Sequence, residues 1–212
     1  MQLKGLKINF LGDSITEGAS ASRPENIYFN VLKQSEDVAV CRNYGIGGTR
    51  IARQTTPSEN PTYDEDFLAR CEHMDEDADL IVVFGGTNDF DHGDAEFGTF
   101  NDKDVYTFYG ALRTLIETLL VRYPKSRLVF LTPLHREHET GANGKRDLAH
   151  YVQAIREVCA YYAVPVCDLF ATSGIQPAFP PLRERYTSDG LHPNDVGHAL
   201  IAQRLAGFLK SL

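Results

Sequence analysis

The sequence predicts an α/β protein in which a five-stranded parallel sheet lies between two layers of helices. Three observations carry that prediction. Strand-like and helix-like segments alternate five times along the 212 residues. No two strand-like runs are joined by a hairpin turn, so each connection is a crossover, as parallel strands require. The clearest strand, Asp79-Leu-Ile-Val-Val-Phe84, is a continuous apolar run, the pattern of a strand covered on both faces. A chain of this length supports one substantial core, and no Gly/Ser-rich or like-charge tract reads as a linker, so residues 1–212 are expected to form a single domain.

In chain order, the first strand is Lys7-Ile-Asn-Phe-Leu11, which runs into Gly12-Asp13-Ser14, a turn that presents a hydroxyl. Residues 24–35 predict the first helix, with Pro24 suited to an opening turn. The second strand, 38–44, ends in Gly45-Ile46-Gly47-Gly48, where the backbone must turn sharply or approach something closely. Residues 49–61 read as loop and 64–73 as a short helix. The strand 79–84 stops at Gly85-Gly86-Thr87-Asn88-Asp89, followed by a long acidic loop to about Asp102; insertions of that length in a compact domain are more often functional than accidental.

Residues 105–123 predict an amphipathic helix with Leu112, Leu115, Ile116, Leu119 and Leu120 on one face and Pro124 as its stop. Then come a fourth strand at 127–132, a polar loop at 133–145, a helix at 147–162 and a short fifth strand at 164–168. A Pro-rich loop leads to Asp189-Gly190-Leu191-His192 and a closing helix at 195–209. The economical topology is a flavodoxin-like three-layer α/β/α sandwich.

Composition narrows the function. At 42% hydrophobic and 24% charged residues the chain is globular, and a net charge of -8 leaves no basic excess to replace phosphate counterions, which argues against a nucleic-acid partner. No run approaches the roughly 18 to 20 apolar residues of a membrane-spanning helix. The N-terminal apolar run is broken by Asn9 and Gly12 and lacks the features of a signal peptide, so a cytoplasmic protein without a membrane partner is expected. Cys41, Cys71, Cys159 and Cys167 are widely spaced and form no CxxC, which reads as reduced thiols rather than zinc ligands. The sequence leaves the oligomeric state open.

Three strand ends place Ser14, Gly48 and Asn88 along one carboxyl edge of the sheet, where ligands of open α/β sheets bind. A lone serine in a turn is more often a helix cap than a nucleophile. What changes that reading is the company it keeps. A serine hydroxyl needs a neutral imidazole to take its proton, and His192 can supply one; Asp189, three residues away, can orient the ring and stabilise its charged form. The backbone N–H groups of Ser14 and Gly48 and the Asn88 amide can serve as donors to the oxyanion of a tetrahedral intermediate.

Gly12-Asp13-Ser14, the glycine after the second strand, Gly86-Thr87-Asn88-Asp89 and Asp189-Gly190-Leu191-His192 together resemble the four blocks of the SGNH (GDSL-type) hydrolase superfamily, in the family's order and over nearly the whole chain. The first block ends Ser-Ile here rather than Ser-Leu. The resemblance implies a flavodoxin-like sandwich, ester hydrolysis without metal or cofactor, and Ser14, Asp189 and His192 as a catalytic triad. It also implies that Gly48 and Asn88 complete the oxyanion hole with Ser14. Matching Asn43 to Gly48 with the second block favours Gly48 as donor, with Gly47 as the alternative.

Other polar residues have weaker claims. Asp13, Arg50, Asp89 and His135 are candidate substrate contacts, although Asp13 and Asp89 equally suit turn-holding and Arg50 an ion pair with one of many surface carboxylates. His92 is a rival base outside any family block, and the loop around Asp91, His92 and Asp94 reads as a solvated acidic loop, with a lid over the acyl or alcohol group as the alternative. His135-Arg-Glu-His-Glu139 has the residue types of a metal site, but a solvated loop accounts for it better. His198 reads as structural.

The expected activity is that of a serine esterase on small O-acyl esters, with acetyl esters of carbohydrates or related metabolites as substrates. The alternative is a lysophospholipase or thioesterase, for which Phe90, Phe97 and Phe100 are the only apolar hints. A flavodoxin-like nucleotide- or flavin-binding protein is the reading from another class. The carboxylates in Gly12-Asp-Ser-Ile-Thr-Glu-Gly18 disfavour it, because a phosphate cradle wants bare N–H groups.

Overall fold

The computed structural model of the chain describes residues 1–142 and 144–212, so position 143 of the loop 133–145 lies outside the described residues. The strands are β1 (Lys7–Gly12), β2 (Val40–Gly45), β3 (Leu80–Phe84), β4 (Arg127–Leu131) and β5 (Val166–Cys167). The helices are α1 (Ser14–Glu17), α2 (Tyr28–Ser35), α3 (Phe67–Cys71), α4 (Thr87–Asp91), α5 (Phe108–Arg122), α6 (Leu148–Tyr161), α7 (Leu169–Thr172), α8 (Pro180–Tyr186) and α9 (Asp195–Ser211). All strand pairs are parallel and the sheet order is β2-β1-β3-β4-β5. This is the expected three-layer sandwich with a five-stranded sheet.

Alternation along the strands distributes the core between two layers. Leu80, Val82 and Phe84 pack with Tyr28, Phe29 and Leu32 of α2 and Ile201, Leu205 and Leu209 of α9. Ile81 and Val83 face the other way, onto Phe67 of α3, Leu112 and Ile116 of α5, and Ile155 and Val158 of α6. Thus β3 reads as a continuous apolar run because both of its faces are covered. Burying each such side chain contributes about 1.5–3 kcal/mol.

Several boundaries differ from expectation, each for a local reason. The 24–35 helix divides into a 3-10 turn at Pro24–Asn26 and α2, because Ile27 between them is extended and its side chain packs over Gly18. The helix expected at 64–73 shortens to α3, since Asp66 turns its carboxylate to cap the Ala69 N–H at 2.7 Å. Residues 180–186 form a helix rather than a loop, with prolines in the first turn where the missing N–H costs nothing. Residues 87–91, expected as loop, form α4. Leu120 is 41% exposed, because the buried stripe of α5 runs through Leu112, Leu115, Ile116 and Leu119.

The chain leaves β1 toward β2 on one side, and β3 lies on the other. Their carboxyl ends therefore bound the crevice at which this topology binds ligands. Among the described residues no helix is long and apolar enough to cross a membrane. Ile155 is fully buried between α6 and the sheet. Ile155→Ala is expected to lower unfolding free energy by about 2–5 kcal/mol, the range for large-to-small changes in a packed core, measured by urea denaturation with an unchanged m-value.

Candidate active site

Ser14 sits where β1 gives way to the single turn of α1. The chain can bend there because position 12 is glycine: a Cβ would lie 2.0 Å from Thr16 Oγ1 and 2.9 Å from the Phe84 carbonyl. Asp13 caps α1 by accepting from the Ile15 N–H at 3.0 Å, and Gly18 ends it in the left-handed conformation with φ 110°. As the first residue of a helix, Ser14 keeps an N–H without an intrahelical partner.

The hydroxyl faces the loop before α9. Ser14 Oγ lies 2.9 Å from His192 Nε2, and His192 Nδ1 lies 2.7 Å from Asp189 Oδ2. With Nδ1–H donating to the carboxylate, Nε2 offers its lone pair to the serine hydroxyl. The loop is rigidly specified. Asp189 Oδ1 accepts from the Leu191 and His192 N–H groups at 2.9 and 2.7 Å, Ser188 N–H donates to the His192 carbonyl at 3.0 Å, and Glu137 N–H donates to the Gly190 carbonyl at 2.9 Å. Burial alone raises the Asp189 pKa, but the bonds from the His192 ring and from the two backbone N–H groups outweigh it and hold the carboxyl below its usual range.

The cleft in front of Ser14 has a volume of about 480 Å³. Gly47, Gly48, Tyr63, Asn88, His92 and Leu191 are among the residues that line it. Gly48 has φ 76°, and a Cβ there would lie 2.3 Å from the Tyr63 ring, so only glycine fits beneath that tyrosine. The Gly47 N–H is already taken by Glu17 Oε2 at 3.0 Å, whereas the Gly48 N–H meets no acceptor among the described residues. This favours Gly48 over Gly47 as the free donor. Asn88 is the second residue of α4, and its Nδ2 donates to the Thr49 carbonyl at 2.9 Å, which leaves the second amide hydrogen for the cleft.

Four residues expected to contact substrate lie outside the lining. Asp13 and Asp89 are buried, and Asp89 accepts from the Ile51 and Ala52 N–H groups at 3.0 and 2.8 Å. Arg50 is 3% exposed and committed to Ser58 Oγ at 2.7 Å, the Tyr63 carbonyl at 3.1 Å and Asp64 Oδ1 at 2.8 Å. His135 Nδ1–H donates to Glu139 Oε1 at 2.7 Å, and the ring packs on Phe170. Asp13 and Asp89 hold backbone N–H groups, the turn-holding alternative, whereas Arg50 and His135 are engaged by internal partners. His92 does line the cleft, but its Nδ1 faces the Arg50 guanidinium at 3.3 Å and it stacks on Tyr63, with no carboxylate behind it. Burial and the Arg50 charge lower its pKa. His198 is fully buried against Tyr28.

Burial pushes the Asp13 carboxyl up to about 6, against the pull of the Ile15 N–H and the His192 and Arg70 charges. Stability from a group with a raised folded pKa is present below the unfolded value and is lost as pH rises through the folded one. Asp13→Asn does not suffer this loss. The difference in unfolding free energy, variant minus wild type, is therefore expected to rise by up to about 3 kcal/mol between pH 4 and pH 7 in paired denaturation series.

The profile of the GDSL-like lipase/acylhydrolase family matches residues 10–200. A solved structure of a protein from Lactobacillus plantarum is 33% identical, with a TM-score of 0.86 and 98% of both chains covered. A lipase/acylhydrolase from Enterococcus faecalis is 24% identical, with a TM-score of 0.66, over 97% of this chain and 96% of that one. The acetyl xylan esterase AlAXEase is likewise 24% identical, with a TM-score of 0.66, over 95% of this chain and 98% of its own. The likeness to the last two is one of fold. No curated protein matches the chain. Fold, motif order and family profile agree, and the chain belongs to the GDSL-like lipase/acylhydrolase family.

Proposed function

We propose that the protein is a cytoplasmic serine esterase that hydrolyses small O-acyl esters, with acetyl esters of carbohydrates or related metabolites as its substrates. The observation that carries this reading is the continuous hydrogen-bonded chain from Ser14 through His192 to Asp189 at the edge of a cleft. Ser14 Oγ attacks the acyl carbon while His192 Nε2 takes its proton, and the carbonyl electron pair moves onto oxygen. The Ser14 and Gly48 N–H groups and the Asn88 amide receive that oxyanion. Collapse of the intermediate expels the alcohol, protonated by His192, and leaves an acyl-enzyme on Ser14. Water, deprotonated by the same imidazole, then repeats the sequence and releases the acid.

Two features support a short acyl group and a hydroxylated alcohol. Ile46 and Leu191 are the only aliphatic side chains among the lining residues, which otherwise include Asn60, Thr62, Asp91 and His92. The phenylalanines that hinted at an apolar lid are engaged elsewhere: Phe90 packs on Tyr151, Phe97 on Phe108 and Tyr109, and Phe100 on Tyr109 and Tyr161.

Ser14→Ala and His192→Ala are each expected to lower kcat/KM at least ~1000-fold on a chromogenic acetyl ester, with activity of the native protein unaffected by a chelator. Retention of most activity in Ser14→Ala sinks the mechanism. Rates should fall from acetyl to butyryl to octanoyl esters; the reverse order would point to a lipid-type hydrolase. Asn88→Ala should cost about 100- to 1000-fold in kcat with little change in KM, because its amide acts on charge present only in the transition state.

A further inference from the structure

We infer that Arg70 is the positioning residue of the oxyanion hole, its guanidinium joining the two backbone segments that carry Ser14 and Gly48 and reaching the Asn88 amide through Thr49. The inference rests on the serine-esterase reading above. Arg70 lies on α3, outside the cleft lining and with no path to substrate. Its Nη2 donates to the Gly12 carbonyl at 3.1 Å, two residues before Ser14, and to Thr49 Oγ1 at 2.8 Å, one residue after Gly48. Its Nη1 donates to the Tyr44 carbonyl at the end of β2, the strand that leads into the glycine turn. The Thr49 hydroxyl in turn donates to the Ile46 carbonyl at 2.7 Å, closing the turn, and the Thr49 carbonyl is the acceptor that orients the Asn88 amide at 2.9 Å.

Ser14 and Gly48 are thus within two residues of an atom that Arg70 holds, and the Asn88 amide is hydrogen-bonded to Thr49. The guanidinium is itself located from below. It stacks on the Phe67 ring at 4.8 Å, and that ring fills the space where a Cβ on Gly85 would be, 2.5 Å away, just ahead of Gly86 and α4. Its Nε donates to the Glu65 carbonyl at 2.9 Å. A planar fork with fixed donor directions can span both segments in this way, and an ammonium cannot. Burial lowers the Arg70 pKa to about 10, so the group remains charged at neutral pH, facing the nearby Asp13 carboxylate.

Arg70→Lys and Thr49→Val test the inference separately and together. Donors to an oxyanion act only in the transition state, so Arg70→Lys should lower kcat about 10- to 100-fold with KM within about threefold. Thr49→Val should lower kcat in the same manner by less, and the double variant should lose less than the product of the two, as members of one network do. Activity-independent evidence comes from amide NMR. The backbone signals of Ser14 and Gly48 and the Asn88 side-chain signals should shift together in both variants and stay in place in an Ile155→Val control.

A purely structural role predicts a lowered Tm with kcat of the folded enzyme and those amide signals unchanged; that result overturns the inference, as does a loss confined to KM. Should Arg70→Lys fail to fold, Thr49→Val carries both measurements. If Ser14→Ala keeps its activity, the esterase mechanism fails, and the amide shifts still decide whether Arg70 sets the geometry of these groups.

Discussion

Beyond the end of a parallel sheet, backbone N–H and C=O groups lose their ladder partners, and leaving them buried and unpaired costs about as much as a lost hydrogen bond. In this protein charged side chains take them up. Asp13 receives the Ile15 N–H, Asp89 receives those of Ile51 and Ala52, and Arg70 donates to the carbonyls of Gly12 and Tyr44. Charges so placed are expensive to desolvate, which is why the Asp13 and Asp89 carboxyls are both pushed up to about 6. The return is a set of rigid turns at the carboxyl ends of β1, β2 and β3. Within that set, the Gly48 N–H finds no partner among the described residues and the Asn88 amide is half-paired, both in one cleft with the Ser14 hydroxyl.

Much of this was legible in the sequence because the motif residues report backbone constraints. Gly12, Gly18 and Gly48 mark turns whose geometry excludes a side chain, and Asp189 precedes His192 by the spacing that lets one carboxylate cap the loop and hold the ring. The sheet was legible because its central strand is covered on both faces. The short helices were not: α4 and α8 are too short to show an apolar period, neither has a side-chain N-cap, and proline at the start of α8 looks the same in a loop.

Arg50 and Arg70 show where the reading of single residues fails. Arg50 follows the glycine turn and invited a substrate role, yet it is spent on Asp64, Ser58 and the Tyr63 carbonyl, partners that a linear sequence does not bring near. Arg70 drew no notice. The one signal available was its place three residues after Phe67 and next to Cys71, on the apolar side of a short helix where a guanidinium needs several acceptors to be tolerated. Asp89 illustrates the opposite outcome, since the suggestion that it holds neighbouring N–H groups describes its two bonds.

The acidic segment after α4 shows how the same principle shapes the cleft. Asp94 accepts from the Thr55 and Thr56 N–H groups at 2.8 and 2.7 Å, and Asp102 accepts from the Thr99 N–H at 2.8 Å. Asp94 thereby fastens Thr55 and Thr56 to the segment that follows α4. That fastening matters to the site because the same stretch of chain carries Tyr63, whose ring covers Gly48 and leans on His92. One wall of the cleft is therefore formed by Tyr63 and His92, both held by Arg50. That aromatic pair limits the cleft by shape on the side where it covers the Gly48 backbone.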